Sequence, residues 1–393
     1  MEFIVPYAAS LSQIDSCKEA TVSVCDAVLE GLGGESPDLS FVFVSHEHRG
    51  SFPDLAELIQ NRLGSQVLLG CAGETIAGND REIEHGPALS LWSASLPGAK
   101  LEPFHIEFER TPDGLISEGW PDLSTDAADI RAVFLLGEPF STAVDQIIDR
   151  LGEELPGVPL IGGMASGGGG PGENCLFQDR QQIGQGAVGV VVRGGPTIST
   201  IVSQGCRPIG PTFVVTKSED NLVYELGGKP CLDQLNEFFA ELAPEDQQLL
   251  QKGPHLGIVI NEYQESFELG DFLIANVMGV QEQSGAIVIG NRVRVGQTVR
   301  FHVRDAVTAD EELTSLLDRH AVTGSPSGAA LLFSCNGRGT RLFPQPNHDA
   351  GLIHRSLNQI PVAGFFAQGE LGPIGGRNFI HGYTASVAIF GES

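Results

Sequence analysis

The sequence is short of basic residues: 23 Lys and Arg stand against 50 Asp and Glu, which gives a formal net charge of −27 at pH 7. A field of this sign repels phosphate backbones and anionic lipid surfaces, so general binding to nucleic acid or to membranes is not expected. The sequence also lacks an apolar run of the roughly 18 residues that a membrane span needs. No basic residue precedes Lys18, so a secretory signal peptide is not predicted either.

Cysteine is used sparingly and in a pattern that excludes a disulfide framework. The seven cysteines are odd in number, form no C-x-x-C pair and lie mostly in apolar stretches. Such a pattern is typical of reduced thiols in a reducing compartment, so the expected location is the cytoplasm.

Several motifs of nucleotide, hydrolase and metal chemistry are missing. There is no G-x-x-x-x-G-K-[ST], no G-x-S-x-G and no H-E-x-x-H. The segment Gly167–Gly172 fits G-x-G-x-x-G, but no helix pattern follows it, so a flexible hairpin loop is expected there. His46 and His48 have no third ligand tied to them by spacing, which favours a polar loop over a metal site. No metal or cofactor is predicted.

What the sequence does contain is one pattern that occurs three times, over residues 40–92, 132–192 and 330–388. Each copy has a buried strand, a helix, a second strand, a Gly-rich loop and a final strand. The helices are predicted at Asp54–Leu63, at Thr142–Glu154 and near Asp349–Leu357. The spacing from Phe41 to Gly70 and from Val133 to Gly162 is 29 residues, and from Leu331 to Gly364 it is 33.

The predicted fold is α/β (α+β): repeated β-α-β-β units form two mixed sheets flanked by helices. An α-β-β-α layered sandwich is the preferred arrangement. The cluster Gly194-Gly195-Pro196 favours two domains, residues 1–195 and 196–393. Residues 197–304 show mostly short strand patterns, and the polar stretch Glu102–Asp129 is predicted to be a connection between units.

The third copy carries the polar residues that favour a ligand site, because strand ends in open α/β sheets are where ligands bind. Arg338 is suited to clasp a carboxylate and Glu370 to pair with an ammonium group. The alternative is that Arg338 and Glu370 pair with each other. The predicted ligand-binding residues are Cys335, Asn336, Arg338, Gly339, Gly369, Glu370, His381 and Thr384.

Secondary candidates lie in the matching loops of the other copies: Cys71, Gly73 and Glu74 in the first, and Ser166 in the second. In this comparison of loops, Glu74 of the first copy is matched with Glu370 of the third, and Ser166 occupies the corresponding position in the second. Cys335 is either a packing cysteine or a thiol whose ionisation the nearby Arg338 favours.

These stretches resemble the FIST family, named for its F-box and intracellular signal transduction members. The resemblance runs from about residue 30 to the end and rests on Leu69–Glu74, Gly86–Ser90, Asp271–Ile274, Arg294–Val299, Phe301–Asp305, Phe333–Gly339, Gly369–Pro373 and His381–Ala385. It implies an N-terminal and a C-terminal FIST domain.

The resemblance also implies a sensory role in signal transduction, with an amino acid or a related metabolite as the ligand and no established reaction. With no room in 393 residues for an attached output domain, a separate signalling partner or self-association is expected. Two alternatives stay open. One is an enzyme that uses Cys335 as its nucleophile with His381 or Glu370 as the base, and the other is a protein-interaction scaffold.

Overall fold

The computed structural model describes residues 7–112, 114–123, 127–264, 266–267, 270–281, 283–323 and 326–392. The chain forms two compact units, one of Met1–Val202 with Thr314–Ser393 and the other of Ser203–Leu313. These units differ from the two predicted domains, residues 1–195 and 196–393, because the third repeat groups with the first two. The division into those domains stays a prediction. Within the described ranges, every helix is too short or too polar to cross a bilayer.

The elements of the first two repeats and their flanking segments share the order strand, helix, strand, hairpin, strand. They are β1 (Tyr7–Ser12), α1 (Cys17–Gly31), β2 (Leu39–Ser45), α2 (Phe52–Leu63), β3 (Val67–Gly73), β4 (Ile76–Gly78), β5 (Arg81–Ile83), β6 (Leu89–Ala94), β7 (Ala99–Thr111), β8 (Gly114–Glu118), β9 (Ile130–Gly137), α3 (Val144–Glu154), β10 (Leu160–Met164), β11 (Leu176–Gln178), β12 (Gln181–Ile183), β13 (Ala187–Gly194) and β14 (Ile198–Ser203). The polar stretch predicted as a connection thus contains most of the long strand β7, together with β8.

The middle segment is mostly antiparallel strands, and the third repeat follows it. The elements are β15 (Cys206–Glu219), β16 (Leu222–Leu226), β17 (Lys229–Pro230), α4 (Cys231–Phe239), α5 (Pro244–Lys252), β18 (His255–Val259), β19 (Phe272–Gln281), β20 (Ala286–Ile289), β21 (Thr298–Arg304), α6 (Ala306–Thr323), β22 (Ser327–Cys335), α7 (His348–Ser356), β23 (Val362–Ala367), β24 (Glu370–Ile374), β25 (Arg377–His381) and β26 (Ala385–Gly391).

The mixed α/β class is confirmed, but the described strands form four sheets rather than two. Three of the sheets belong to the first unit, in the orders β1-β6-β2-β3-β11-β12, β25-β24-β10-β9-β13-β7-β8 and β14-β26-β22-β23-β4-β5. The segments predicted as Gly-rich loops contain hairpins. Each hairpin extends a sheet of another repeat: β4–β5 joins the third, β11–β12 the first and β24–β25 the second. The three repeats therefore exchange hairpins in a ring.

A glycine on the second strand of each repeat lies where a side chain would strike the neighbouring parallel strand. An added Cβ would lie 2.2 Å from the Val42 oxygen at Gly70, 1.8 Å from the Leu135 oxygen at Gly162, and 1.9 Å from the Leu332 oxygen at Gly364. These glycines pair with the same three residues in the parallel registers. The shared register gives a position-by-position equivalence among the repeats.

The inner faces of the three sheets enclose one common core. Phe41 of the first repeat lies 5.5 Å from Phe134 of the second, and Phe134 lies 5.7 Å from Phe390 of the third, measured between ring centroids. Phe43 and Phe365 close the ring at 5.2 Å. Three sheets around one core replace the expected sandwich in this unit, because each repeat presents an apolar inner face to the other two.

The second unit is a closed antiparallel barrel. The strand order β15-β21-β18-β19-β20-β16 returns to its start through the pairing of β16 with β15. Its apolar cluster includes Phe238 of α4, which lies 5.2 Å from Phe301 of β21. Of the strands predicted over residues 197–304, β14 joins a sheet of the first unit, whereas β15 to β21 form the barrel.

Candidate functional site

Four predicted residues lie at the carboxyl end of β22 and on or beside the β24–β25 hairpin: Cys335, Glu370, His381 and Thr384. Cys335 is the last residue of β22, and Glu370 faces His381 across the β24–β25 pairing. Cys335 lies two residues after the core residue Phe333, so it projects from the same inner face. Leu371 packs against the α3 side of its sheet, which places the neighbouring Glu370 on the inner side.

Glu370 is a fully buried acid. Its Oε2 accepts hydrogen bonds from the Thr384 backbone N–H at 3.0 Å and from the Thr384 hydroxyl at 2.9 Å. Burial raises the pKa of Glu370 to about 8, although these bonds and one from the Cys335 thiol oppose the shift. Its Oε1 has no hydrogen-bond partner among the described residues. The carboxyl group therefore carries a proton at neutral pH.

His381 is buried beside this acid. Its Nε2 donates to the Gly372 carbonyl at 2.9 Å, and burial lowers the pKa of the imidazole to about 4. The ring is neutral at pH 7, and its Nδ1 is a buried acceptor that no described residue satisfies. The hairpin thus contains two unsatisfied polar atoms on its inner face.

Arg338 forms a buried ion pair with Asp349, and its charge also opposes the rise in the pKa of Glu370, the partner considered as the alternative in the sequence analysis. The guanidinium binds Asp349 of α7 in bidentate geometry, through Nε to Oδ2 at 2.6 Å and Nη2 to Oδ1 at 2.8 Å. Both side chains are fully buried. Burial opposes ionisation of Asp349, but the charge of Arg338 holds the pKa of that carboxyl well below its usual range. Arg338 is therefore engaged in anchoring its loop to α7.

A second buried acid, Glu82 of β5, lies near this pair. Its Oε1 accepts a hydrogen bond from the Ala350 N–H at 2.8 Å, and its Oε2 has no partner among the described residues. Burial raises the pKa of Glu82 to about 7, and the negative charge of Asp349 adds to the shift. Nothing local in the sequence relates Glu82 to this position, because the β4–β5 hairpin comes from the first repeat.

The exposed edge of the site includes a cation that the sequence analysis missed, Arg341. It forms an ion pair with Glu74 and donates to the Asn336 carbonyl at 2.8 Å. The Glu74 hydrogen bond does most to raise the pKa of Arg341, and the Cys335 sulfur contributes in the same direction. The Glu74 N–H donates to the Ser166 hydroxyl at 2.8 Å. Two secondary candidates, Glu74 and Ser166, are thus brought to the third repeat.

The other candidate residues have packing positions. Cys71 lies in the common core, and burial raises the pKa of its thiol well above the usual value. A Cβ at Gly73 would lie 2.9 Å from the Phe365 Cβ, and one at Gly369 would lie 2.9 Å from the Ile380 Cδ1. Gly339 has a left-handed backbone with φ of 59°, which favours glycine.

The repeat registers show what occupies the same places in the other two copies. The hairpin pair Glu370–His381 corresponds to Ile76–Ile83 in the first repeat and to Leu176–Ile183 in the second. The match of Glu370 with Glu74 and Ser166 is therefore wrong, because those residues precede the hairpin. The Cys335 N–H donates to the Thr384 carbonyl, and the same backbone bond joins Ser45 to Ala88 in the first repeat and Glu138 to Gly186 in the second. These pairs are therefore equivalent to Cys335 and Thr384.

Two other motifs considered in the sequence are the Gly167–Gly172 loop and the histidine pair His46 and His48. In the Gly167–Gly172 loop, the Gly168 N–H donates to Asn174 and the Gly169 N–H to Glu173, so these amides are occupied by the loop's own side chains. His46 Nε2 lies 3.3 Å from an Arg49 nitrogen. In the ranges given above, no group of three His, Cys, Asp or Glu side chains could hold a metal ion.

The fold and the site together define a triplicated α/β protein with a buried polar cluster at one strand end. Family models match the chain twice, the FIST N domain over residues 38–229 and the FIST C domain over residues 232–373. The chain belongs to the FIST family. FIST domains are associated with sensory roles in signal transduction.

Similar curated proteins are themselves uncharacterized. The protein Rv0628c of Mycobacterium tuberculosis is 40% identical over 382 residues, which covers 97% of this chain and 98% of that protein. The protein Mb0898c of Mycobacterium bovis is 38% identical over 375 residues, 95% of each chain. The protein MJ1623 of Methanocaldococcus jannaschii is 26% identical over 250 residues, 61% of this chain and 46% of that protein.

Proposed function

We propose that this protein is a sensory module that binds an amino acid or a closely related metabolite at the carboxyl end of β22. The floor of the proposed site consists of Cys335, Glu370, His381 and Thr384, and its rim consists of Glu74, Asn336 and Arg341. Arg338, which the sequence suggested as the carboxylate partner, supports the loop from behind through Asp349.

The observation that supports the proposal is the contrast among the three repeats. Two repeats fill the hairpin pair with Ile and Leu, so the architecture does not need an acid and a histidine there. A buried polar group without a partner costs about 1–3 kcal/mol, and both Glu370 and His381 have such an atom within the described structure. Residues that reduce stability at a position where aliphatic residues suffice indicate a role in binding.

The rim offers the two charges that a zwitterion requires. The side chains of Arg341 and Glu74 are 58% and 36% exposed, and ion pairs this accessible contribute about 0–1 kcal/mol. A ligand carboxylate can therefore replace Glu74 on the guanidinium at little cost, and the ligand ammonium can bind the released Glu74. The floor then lies beneath the rest of the ligand.

The same geometry suggests how binding is transmitted. Arg341 belongs to the third repeat and Glu74 to the first, so a ligand inserted between them alters a link between repeats. We place the protein in the cytoplasm, a reducing compartment that suits its free cysteines. A separate signalling protein is the proposed reader of the change.

A thermal-shift panel of amino acids, with the matching amines and carboxylic acids, tests the proposal. A ligand at 100 times its Kd stabilises the folded state by about 2.7 kcal/mol. The wild type is expected to respond to at least one amino acid, and Arg341→Gln to lose the response. Arg62→Gln is the matched control, because Arg62 forms a similar exposed pair with Asp26, away from the site.

Two results would count against the proposal. An equal response of wild type and Arg341→Gln would remove Arg341 from the site. No response to any compound, together with co-purification of a protein partner, would favour the scaffold alternative.

A further inference from the structure

Cys335 differs from the other cysteines in its access to solvent. It is partly exposed, whereas the remaining six are buried: Cys17, Cys25, Cys71, Cys175, Cys206 and Cys231. Burial raises the pKa of Cys25, Cys175 and Cys231 to about 12. Because only the thiolate attacks electrophiles, Cys335 is the thiol placed to react in the folded protein.

The groups around the Cys335 sulfur stabilise a negative charge. The Gly337 N–H donates to Sγ at 3.4 Å. The Arg341 guanidinium attracts the sulfur's charge, and the interaction raises the pKa of Arg341. A cation and a backbone donor next to a thiol are the surroundings that make a cysteine nucleophilic.

On the buried side of the sulfur lies a carboxyl group that can take its proton. The thiol hydrogen-bonds the Glu370 carboxyl group, which has an unsatisfied Oε1. His381 faces Glu370 across the hairpin and has an unsatisfied Nδ1, and the residue is 4% exposed. Because the pKa of Glu370 is raised to about 8, its proton affinity approaches that of an ordinary thiol, and transfer between the two is nearly balanced.

We propose that Cys335 is a site of reversible thiol–disulfide exchange, and that its reaction partner is a small disulfide that carries carboxylate groups. The preference for a carboxylate follows from Arg341, which stands at the exposed edge beside the sulfur. This inference does not depend on the amino-acid site, since it concerns a covalent reaction of one side chain.

The exchange balances without any further oxidant. The ionised fraction of Glu370 takes the thiol proton, and the Cys335 thiolate attacks one sulfur of the disulfide. A bond forms between Sγ and that sulfur while the disulfide bond breaks. The other half leaves as a thiolate and receives the proton from Glu370. Cys335 is oxidised to a mixed disulfide, and the departing half is reduced to a thiol.

The net charge of the protein makes the preference a sharp test. With −27 charges on the chain, the overall field favours a cationic reagent over an anionic one. An anionic preference can then arise only from local positive charge. At 0.1 M salt, charges more than about 10 Å away are largely screened, so the attraction of a nearby guanidinium for an anionic reagent remains.

The experiment compares dithiodipropionate, which is anionic, with cystamine, which is cationic and of similar size. Intact-protein mass spectrometry measures the rate of single-adduct formation, and peptide mapping locates the adduct. In the wild type we expect an adduct on Cys335 that forms about ten times faster with the anionic reagent. Arg341→Gln should abolish or reverse this preference, while Arg62→Gln should keep it.

The wild-type measurement decides the question by itself, whether or not the variants fold. Faster reaction with cystamine, or a first adduct on another cysteine, would overturn the inference. Because no amino acid is present, a failed ligand panel leaves this result unaffected, and a failed exchange reaction leaves the ligand panel unaffected.

Discussion

Glu370 offers a direct measurement of what the polar hairpin costs the fold. The informative change is Glu370→Leu, because Leu176 occupies the equivalent position in the second repeat. Leucine removes a buried ionisable group and restores the aliphatic pattern of the other hairpins. We expect the variant to be more stable than the wild type, by an amount that grows with pH.

The size of the effect follows from proton linkage. The pKa of Glu370 is about 8 in the folded state and 4.5 ordinarily, so between these values the folded state holds a proton that the unfolded chain has released. The unfolded state binds fewer protons, and stability falls as pH rises through this window. At 1.36 kcal/mol per pH unit, the penalty is about 3 kcal/mol at pH 7 and reaches about 5 kcal/mol above pH 8.

Urea unfolding at pH 5, 7 and 8.5 measures the difference between the two proteins. Tryptophan fluorescence is a suitable probe, since Trp92 and Trp120 both belong to the unit that contains the site. Glu370→Gln is the control that removes the titration and keeps the size of the side chain. A difference between wild type and Glu370→Leu that stays constant from pH 5 to 8.5 would refute the reasoning.

Two further substitutions test the frame around the site. Asp349→Asn leaves Arg338 buried without its charged partner and should cost about 3–5 kcal/mol of unfolding free energy in urea; a loss below about 1 kcal/mol would contradict the assignment. Gly364→Ala places a Cβ 1.9 Å from the Leu332 carbonyl oxygen and should cost about 4 kcal/mol or prevent folding. The control Gly152→Ala, on α3 with open space around it, should gain about 0.5–1 kcal/mol; tolerance of Gly364→Ala would disprove the shared strand contact.

Much of the first unit is predictable because its main elements carry local patterns. The spacing of apolar residues predicts a helix over Asp54–Leu63, and α2 spans Phe52–Leu63. It predicts another over Thr142–Glu154, and α3 spans Val144–Glu154. A helix between two buried strands requires those strands to be parallel, and the observed registers agree.

The hairpins are not predictable in the same way. The strands β4, β5, β11 and β12 have three residues each, too few for alternation to be recognised. Their partners lie in a different repeat, and no local pattern indicates that. The same limit explains the wrong match of Glu370 with Glu74, because alignment of the loops by composition ignores the hairpin that follows each loop.

The partner of Arg338 was beyond sequence reasoning for a related reason. Glu370 follows the neighbouring parallel strand, which makes it the natural candidate when strand ends alone are considered. Asp349 opens α7, and no helical or strand spacing relates it to Arg338. The packing of α7 against the sheet decides between the two acids. Arg341, three residues further on, then provides the exposed cation.

The three repeats also show why the polar residues of the third copy work as a set. Thr384 donates two hydrogen bonds to Glu370, and the equivalent residue of the second repeat, Gly186, has no hydroxyl to donate. The Gly186 N–H already donates to Ser141 at 2.9 Å. A carboxylate at position 176 would therefore lie unsatisfied in the core, near a repeat end that already contains the buried acid Glu138. Glu370 is tolerated because Thr384 and Cys335 accompany it, and this dependence ties the floor of the site to a single repeat.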